Sequence, residues 1–145
     1  MAYDIAAPQG RLEGKVFVFP ARVYYEDTDA GGVVYYANYL KYAERARTEF
    51  IRSLGVNQQP ALAEDRCGFM VRSLEVDYKA PAVLDDLLSV TCVLTKAKGA
   101  TAEMLQEIWR GETLLVVMKV KLAYVSLARK RPMRLPAFMM QTGAV

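Results

Sequence analysis

A single stretch of this sequence carries a long helical period, and it limits the folds that are open to the chain. Apolar residues recur there at spacings of 4, 3, 4 and 4, as one buried helix face requires: Tyr39, Ala43, Ala46, Phe50 and Leu54. Charged residues occupy much of the remainder: Glu44, Arg45, Arg47, Glu49 and Arg52. Gly55 follows as a typical helix stop. We therefore predict one long helix that begins between Tyr35 and Asn38 and ends near Leu54.

The other apolar stretches are short, rich in β-branched and aromatic residues, and bounded by Gly or Pro, which predicts strands. These strands are Lys15–Glu26, Phe69–Tyr78, Leu87–Lys96, Thr101–Arg110 and Thr113–Leu127. Pro20 predicts an edge or a bulge, because proline cannot donate to a strand ladder. Gly99 and Gly111 separate the last three strands, which favours an antiparallel meander. One long helix on an antiparallel sheet is an α+β fold.

The length of 145 residues fits one domain, because a single core serves chains up to about 250 residues. We predict a flexible N-terminal tail over residues 1–13, one domain over 14–136 and a C-terminal tail over 137–145. The first residues lack a charged segment followed by an apolar run, and no stretch approaches the ~18 apolar residues of a membrane span. We therefore expect a cytoplasmic protein.

Histidine is absent, and this excludes a Ser-His-Asp or Cys-His mechanism and a His-ligated metal centre. Cys67 and Cys92 lie 25 positions apart without a CxxC pattern, so we interpret them as reduced core residues. The net charge of +3 is too small to indicate nucleic acid, although it is compatible with an anionic small ligand. Acid–base or nucleophilic chemistry must therefore come from carboxylates, Tyr, Lys, Cys, Ser or Thr.

The groups that suit such chemistry are concentrated between Arg22 and Tyr39. Three carboxylates, Glu26, Asp27 and Asp29, precede a Gly-Gly turn and the start of the predicted helix. Free N–H groups at a helix start can hold an anion or polarise a carbonyl oxygen. A nearby carboxylate can then attack that carbonyl or activate a water against it. The pattern indicates acyl transfer, with one alternative: Asp27 or Asp29 caps the turn or the helix.

The run YEDTDAGGVVYYANYLKYAERARTEF, residues 25–50, resembles the signature of the 4-hydroxybenzoyl-CoA thioesterase family, and the match covers roughly Val18 to Pro136. The branch it resembles most is the one associated with the Tol-Pal gene cluster. The resemblance implies a hotdog fold, in which an antiparallel sheet wraps around one long helix. It also implies a homodimer or homotetramer that hydrolyses acyl-CoA thioesters without metal or cofactor. Acyl-carrier-protein thioesters remain an alternative substrate.

The resemblance also assigns the catalytic groups. Asp29 becomes the catalytic carboxylate, either as nucleophile or as general base. A backbone N–H at or next to Tyr36 becomes the group that polarises the thioester carbonyl. Tyr36 stands where the closest relatives usually carry His, whereas the 4-hydroxybenzoyl branch has Tyr there. Glu44 and Glu49 are alternatives, because another hotdog branch uses a carboxylate on the central helix.

Two groups of residues are expected to bind substrate. The turn and the helix start supply the first group: Gly32, Val33, Val34 and Tyr35. The basic segment after the last strand supplies Arg129 and Arg131, beside Lys130 and Arg134, as candidate partners of the CoA phosphates. The alternative for the basic segment is a solvated, charged tail.

A hotdog module that binds acyl groups or proteins of the cell envelope or of lipid synthesis, without catalysis, is the rival function. Asp29 beside the Gly31-Gly32 turn argues against it, because a scaffold does not need a carboxylate there.

Overall fold

A seven-stranded antiparallel sheet and one long helix form the fold in a computed structural model, which describes residues 2–7, 9–55, 63 and 66–140. The long helix, α1, covers Asn38–Ser53, and a turn of 3-10 helix at Tyr25–Asp27 precedes it. The strands are β1 Arg11–Glu13, β2 Val16–Arg22, β3 Cys67–Tyr78, β4 Leu87–Lys98, β5 Thr101–Arg110, β6 Thr113–Ser126 and β7 Arg131–Pro132. A short helix, α2, covers Ala137–Met140. The predicted α+β class is confirmed.

The strand order in the sheet is β1-β2-β4-β5-β6-β3, and β7 pairs with the end of β6. Because β4, β5 and β6 are consecutive antiparallel neighbours, the predicted meander is confirmed. Its two turns place Gly99 and Gly111 at φ values of 62° and 57°, which residues with a Cβ rarely adopt. β3 lies at the far edge of the sheet and, among the described strands, pairs with β6 alone.

The first predicted strand, Lys15–Glu26, is too long by several residues. β2 ends at Arg22, and the chain then turns. The cause is the carboxylate of Asp27, whose Oδ2 accepts a hydrogen bond of 2.8 Å from the N–H of Tyr24. Acidic side chains that bond to nearby backbone in this way compete with strand pairing.

The prediction for Pro20 is confirmed. Pro20 pairs with Ser89 of β4, whereas β1 pairs with β2 only from Val16 to Val18. At Pro20, therefore, β2 is an edge of the sheet, where a missing N–H costs no ladder bond.

Two short elements lie inside the segments that were predicted as tails. β1 takes residues 11–13 of the predicted tail 1–13 and pairs with β2, although all three residues are exposed. α2 takes the first residues of the predicted tail 137–145, of which residues 141–145 lie outside the described part of the chain. Elements this short carry no apolar period, so the sequence pattern did not indicate them.

The helix α1 packs on β2 and β4 through the predicted stripe. Tyr39, Ala43, Ala46 and Phe50 are buried, and the ring of Phe50 lies 5.7 Å from that of Phe17 in β2. The stripe prediction is therefore confirmed for these four residues, whereas the fifth, Leu54, follows the last residue of α1 and is half-buried.

One charged residue of the helix, Arg47, is buried, which the spacing did not predict. Its guanidinium donates to Oε1 of Gln106 at 2.8 Å and pairs with Oε2 of Glu44 at 2.6 Å. Gln106 of β5 is fully buried and donates to the carbonyl of Ala43 at 2.9 Å. These bonds tether the helix to the middle of the sheet and satisfy groups that would be costly to bury alone.

Candidate active site

The connection between β2 and α1 is held together through Asp27. The side chain of Asp27 caps the 3-10 turn through Tyr24, and its carbonyl accepts the N–H of Tyr35 at 2.9 Å and the amide Nδ2 of Asn38 at 2.8 Å. The Asp27 side chain itself is buried. The capping alternative is therefore correct for Asp27.

Asp29 is also bonded to the turn, but it keeps an available oxygen. Its Oδ1 accepts the N–H of Gly31 at 2.8 Å, and its backbone carbonyl accepts the N–H of Gly32 at 3.0 Å. Oδ2 accepts no hydrogen bond from the described residues, and the residue is exposed. One carboxylate oxygen is thus oriented by the loop, and the other is available to a ligand or a water.

The residues just before α1 form a turn with two unused donors. The N–H of Asn38 donates to the carbonyl of Tyr35 at 2.8 Å and closes the turn. The N–H groups of the two central residues, Tyr36 and Ala37, make no hydrogen bond within the described part of the chain. Unused N–H groups at a helix start point away from the helix and carry the positive end of its dipole.

The loop between β3 and β4 braces this turn. The N–H of Val34 donates to the carbonyl of Ala82 at 2.9 Å, and the N–H of Ala82 donates to the hydroxyl of Tyr39 at 3.0 Å. Arg110 holds the same loop from β5, because its Nη1 lies 3.0 Å from both the carbonyl of Pro81 and Oδ2 of Asp86.

Tyr78, the last residue of β3, reaches the turn from the edge of the sheet. Its hydroxyl donates to the carbonyl of Tyr36 at 2.9 Å. Its ring packs against the rings of Tyr39 at 5.7 Å and Tyr36 at 6.2 Å between centroids. No sequence motif indicated that Tyr78 lies at the site, because the contact spans 42 residues and depends on the strand register.

The charge of Asp29 acts on two tyrosines of the site. The pKa of Tyr35 is raised, first by its contact with Tyr36 and also by the carboxylate of Asp29. The pKa of Tyr39 is raised mainly by burial, with smaller contributions from Asp86 and Asp29.

The other predicted site residues have different surroundings. Gly32 adopts a φ of 81°, and Tyr35 and Tyr36 are exposed at the turn. Val33 is half-buried, whereas Val34 is buried in the core. The side chains of the helix glutamates are paired, Glu44 with Arg47 and Glu49 with Arg52 at 3.5 Å.

The basic segment lies at the other end of the sheet. Tyr78, which touches the candidate site, ends β3, whereas Cys67 at the start of β3 pairs with Ser126, and Ser126 pairs with Arg131. From Cys67 to Tyr78 the strand spans roughly 35 Å at ~3.3 Å per residue. Within one chain, Asp29 and the basic residues Arg129 and Arg131 are therefore not brought together.

A groove of about 500 Å³ runs between α1 and the edge of the sheet. Apolar side chains line most of it, and among them Val71 and Leu74 of β3 are 47% and 39% exposed. The groove is thus an apolar surface that the monomer leaves uncovered.

Two features are absent from the described part of the chain. No three His, Cys, Asp or Glu side chains in the described ranges are grouped so that they could hold a metal ion. No described helix is long and apolar enough to cross a membrane.

A long helix wrapped by an antiparallel sheet, with Asp29 in the loop that leads into the helix, is the arrangement expected of a hotdog thioesterase. Residues 23–142 match the model of the thioesterase-like superfamily, and the chain belongs to that superfamily. The predicted resemblance is confirmed, and so is the enzyme class, a thioester hydrolase.

Individual relatives agree with this assignment. The chain is 48% identical over 120 residues to "Acyl-CoA thioesterase YbgC" of Haemophilus influenzae, across 83% of this chain and 88% of that protein. It is 45% identical to "Acyl-CoA thioester hydrolase YbgC" of Escherichia coli, across 83% and 90% of the two chains.

Solved structures confirm the fold. A probable thioesterase from Bartonella henselae superposes with a TM-score of 0.76 at 38% identity, over 85% of this chain and all of that one. A 4-hydroxybenzoyl CoA thioesterase in complex with 4-hydroxybenzoyl CoA superposes with a TM-score of 0.78 at 16% identity, over 89% of this chain and 99% of that one. At that identity the second likeness concerns the fold alone, and the predicted hotdog architecture is confirmed.

Proposed function

We propose that the chain hydrolyses acyl-CoA thioesters, with Asp29 as the catalytic carboxylate and the backbone N–H of Tyr36 as a group that polarises the carbonyl. The observation that carries the proposal is the loop geometry: Gly31 holds one oxygen of Asp29, the other oxygen is available, and the same loop leads into the turn with the unused N–H donors. The names of the relatives in Haemophilus influenzae and Escherichia coli support the acyl-CoA substrate.

Two routes fit this arrangement. As a general base, Asp29 takes a proton from water while the water oxygen bonds to the carbonyl carbon. The tetrahedral oxyanion is held by the N–H groups, the C–S bond breaks, and the CoA thiolate takes up the proton. As a nucleophile, Asp29 bonds to the carbonyl carbon itself, the thiolate leaves, and water then hydrolyses the acyl-aspartyl anhydride.

The first experiment measures thiol release from short-chain, long-chain and aromatic acyl-CoAs with the wild type and with Asp29→Asn. Loss of a positioned acid–base or nucleophilic group is expected to lower kcat at least ~10²-fold. Asp4→Asn, which neutralises an exposed carboxylate near the N-terminus, is the matched control. Activity that survives in Asp29→Asn would move the chemistry to Glu44 or Glu49. No activity of the wild type on these substrates or on acyl-carrier-protein thioesters would favour the binding-module function.

Oxygen labelling separates the two routes. A single turnover with excess enzyme in H₂¹⁸O, followed by mass spectrometry of the peptide that contains Asp29, reports where the water oxygen goes. The anhydride route allows water to attack the aspartyl carbonyl, so label appears in the peptide. The general-base route leaves the peptide unlabelled, and the label appears only in the released acid.

We further propose that the active form is at least a homodimer joined along β3. β3 is a 12-residue edge strand with exposed apolar residues, and such an edge is a template for pairing with another chain. The apolar groove beside it extends the same surface. The expected outcome in light scattering is a mass at least twice the 16.2 kDa of one chain, and a 16.2 kDa species across the working concentrations would contradict it.

Antiparallel pairing of β3 with its own copy would also account for the basic segment. In such a pair, the start of one β3 lies beside the end of the other. The partner's Arg131 would then lie near the Tyr78 end of this strand, where the candidate site is. Each site would combine Asp29 of one chain with the CoA-binding cations of the other.

Mixed dimers test this arrangement. Asp29→Asn chains and chains that carry both Arg129→Ala and Arg131→Ala are each expected to be impaired at low acyl-CoA concentration. Co-expression with two different affinity tags yields the mixed dimer, in which one of the two sites has every wild-type residue. We expect it to recover the activity of one wild-type site, which is half of the activity of a wild-type dimer; recovery no greater than the average of the two parents would place both groups in the same chain.

A further inference from the structure

We propose that Tyr78 is a positioning residue of this site: its hydroxyl fixes the peptide of Tyr36 and Ala37, so that the carbonyl-binding donors are two, the N–H groups of Tyr36 and Ala37. The inference rests on the proposed thioesterase function and deepens it, because it concerns the same carbonyl-binding group. It starts from a hydrogen bond that reaches the turn from outside, from the edge strand β3.

Two hydrogen bonds engage two successive peptide groups of the turn. The carbonyl of Tyr35 and the N–H of Tyr36 belong to one peptide group, and the carbonyl of Tyr36 and the N–H of Ala37 belong to the next. The N–H of Asn38 bonds to the first carbonyl at 2.8 Å, and the hydroxyl of Tyr78 bonds to the second at 2.9 Å. Both carbonyls are therefore engaged, while both N–H groups have no partner in the described chain.

The hydrogen bonds to the two carbonyls also affect the N–H donors of Tyr36 and Ala37. A peptide whose oxygen accepts a hydrogen bond is polarised, and its N–H becomes a stronger donor. The two bonds also fix the planes of both peptides before substrate arrives. Donors that need no reorganisation stabilise a developing oxyanion more than donors that must first be oriented.

Tyr78 is itself held in place by ring contacts and by strand pairing. Its ring contacts the rings of Tyr36 and Tyr39, and its backbone is paired with Val116 of β6. Burial, with Tyr36 and Tyr39, raises the pKa of Tyr78, so its hydroxyl remains a protonated donor at neutral pH. The donor is thus held from the sheet, whereas the bond from Asn38 comes from the helix.

The test begins with steady-state kinetics of Tyr78→Phe, which removes the hydroxyl and keeps the ring. We expect kcat/KM to fall about 3- to 10-fold, because donors that are less well fixed hold the carbonyl oxygen less tightly. Tyr25→Phe is the matched control, since it removes an exposed hydroxyl that makes no hydrogen bond with the described residues. A kcat/KM for Tyr78→Phe equal to that of the control would overturn the inference.

A second readout separates positioning from a general effect on structure. Two unreactive CoA compounds are compared by calorimetry: a ketone, in which CH₂ replaces the sulfur and the carbonyl remains, and a thioether, which has no carbonyl. Tyr78→Phe is expected to lower the affinity for the ketone about 3- to 10-fold and to leave the affinity for the thioether unchanged. Equal weakening of both compounds would show a structural role only and would also overturn the inference.

Failure here is distinguishable from failure of the proposed function. If the wild type hydrolyses acyl-CoA and Asp29→Asn does not, the proposed function stands whatever Tyr78→Phe does. If the wild type is inactive but binds the ketone more tightly than the thioether, the change of this affinity ratio in Tyr78→Phe still tests the role of Tyr78. If the wild type does not distinguish the two compounds, no carbonyl-binding group is present and the inference fails.

Discussion

Two strands of the same sheet, β3 and β4, have the same length of 12 residues and opposite surroundings. β4 lies between β2 and β5 beneath α1, and its inward residues Leu88, Val90, Cys92 and Leu94 are at most 1% exposed. β3 forms the edge, and its apolar residues Met70, Val71, Leu74 and Tyr78 are 39–52% exposed. Apolar character is similar in the two strands, so it does not by itself tell which one is covered.

The difference also separates stability from function. β4 holds the helix in place, and substitutions there affect folding. β3 touches the candidate site through Tyr78 and presents the surface that we assign to a second copy. The largest expected effects of substitution on stability therefore come from β4 and its neighbours.

The largest expected effect comes from a matched pair of truncations. Leu88→Ala is expected to lower the free energy of unfolding by about 2–5 kcal/mol, because it leaves a cavity in the core. Leu74→Ala is expected to lower it by less than about 1 kcal/mol for the isolated chain, because Leu74 is 39% exposed. Urea unfolding of both variants, repeated over a range of protein concentrations, checks the comparison.

The concentration series sharpens the result. If β3 is an interface, the cost of Leu74→Ala grows as the protein concentration rises through the range in which the wild type becomes dimeric, since dimer formation stabilises the folded state. A cost that stays constant across that range, as located by light scattering, would contradict an interface through Leu74.

An intermediate effect is expected at the tether between helix and sheet. Gln106→Leu leaves the guanidinium of Arg47 and the carbonyl of Ala43 without these partners, and is expected to cost about 1–3 kcal/mol. The double variant Gln106→Leu with Arg47→Met also removes the buried guanidinium that has lost its partner in the sheet, and is expected to recover part of the loss. Thermal unfolding of the wild type and the three variants forms a double-mutant cycle; strict additivity would refute the tether.

The smallest effect on the free energy of unfolding at neutral pH is expected from a substitution of Tyr42, which should also change how stability depends on alkaline pH. This side chain is buried, its hydroxyl has no partner of hydrogen-bond geometry among the described residues, and burial together with the charge of Asp27 raises its pKa from 10.0. The folded state therefore holds a proton that the unfolded state releases, so this contribution to stability is complete below pH 10 and is lost as the pH rises through the folded pKa.

Tyr42→Phe removes that titration. At pH 7 we expect a change in the free energy of unfolding within about 1 kcal/mol, because an unsatisfied hydroxyl is removed. Between pH 9 and 11, stability of the variant should decline less steeply than that of the wild type, as followed by circular dichroism. Tyr78→Phe, on the open strand, should reduce the slope less, and equal slopes for all three proteins would contradict the assignment.

Much of this architecture could be predicted from local pattern. The spacing of the helix stripe located α1, and the pair Gly99 and Gly111 fixed β5 at Thr101–Arg110, as observed. The contacts that failed to appear in the pattern are those between distant segments. The burial of Arg47 depends on Gln106, 59 residues away, and no period in the helix reports it.

The residues of the candidate site also differ in whether local sequence could predict them. Asp29 and the donors near Tyr36 lie within one short segment, and a motif in that segment pointed to them. Tyr78 and the brace at Ala82 reach the segment from β3 and from the loop after it, so only the strand register places them. The end of β2 was predicted wrongly for a local reason. The carboxylate of Asp27 accepts the N–H of Tyr24, so the strand ends before the apolar stretch does.

The position of Tyr78 at the end of an open edge strand has a consequence for anyone who wishes to redesign this protein. If β3 joins two copies as we propose, subunit contacts and turnover share one side chain, and a change made to adjust the assembly state will also alter the rate. Thr91 and Glu107 lie on the outer face of β4 and β5, on strands that do not contain Tyr78, and this face offers a separate place to attach a new partner. A modification there leaves Tyr78 and the β3 edge as they are.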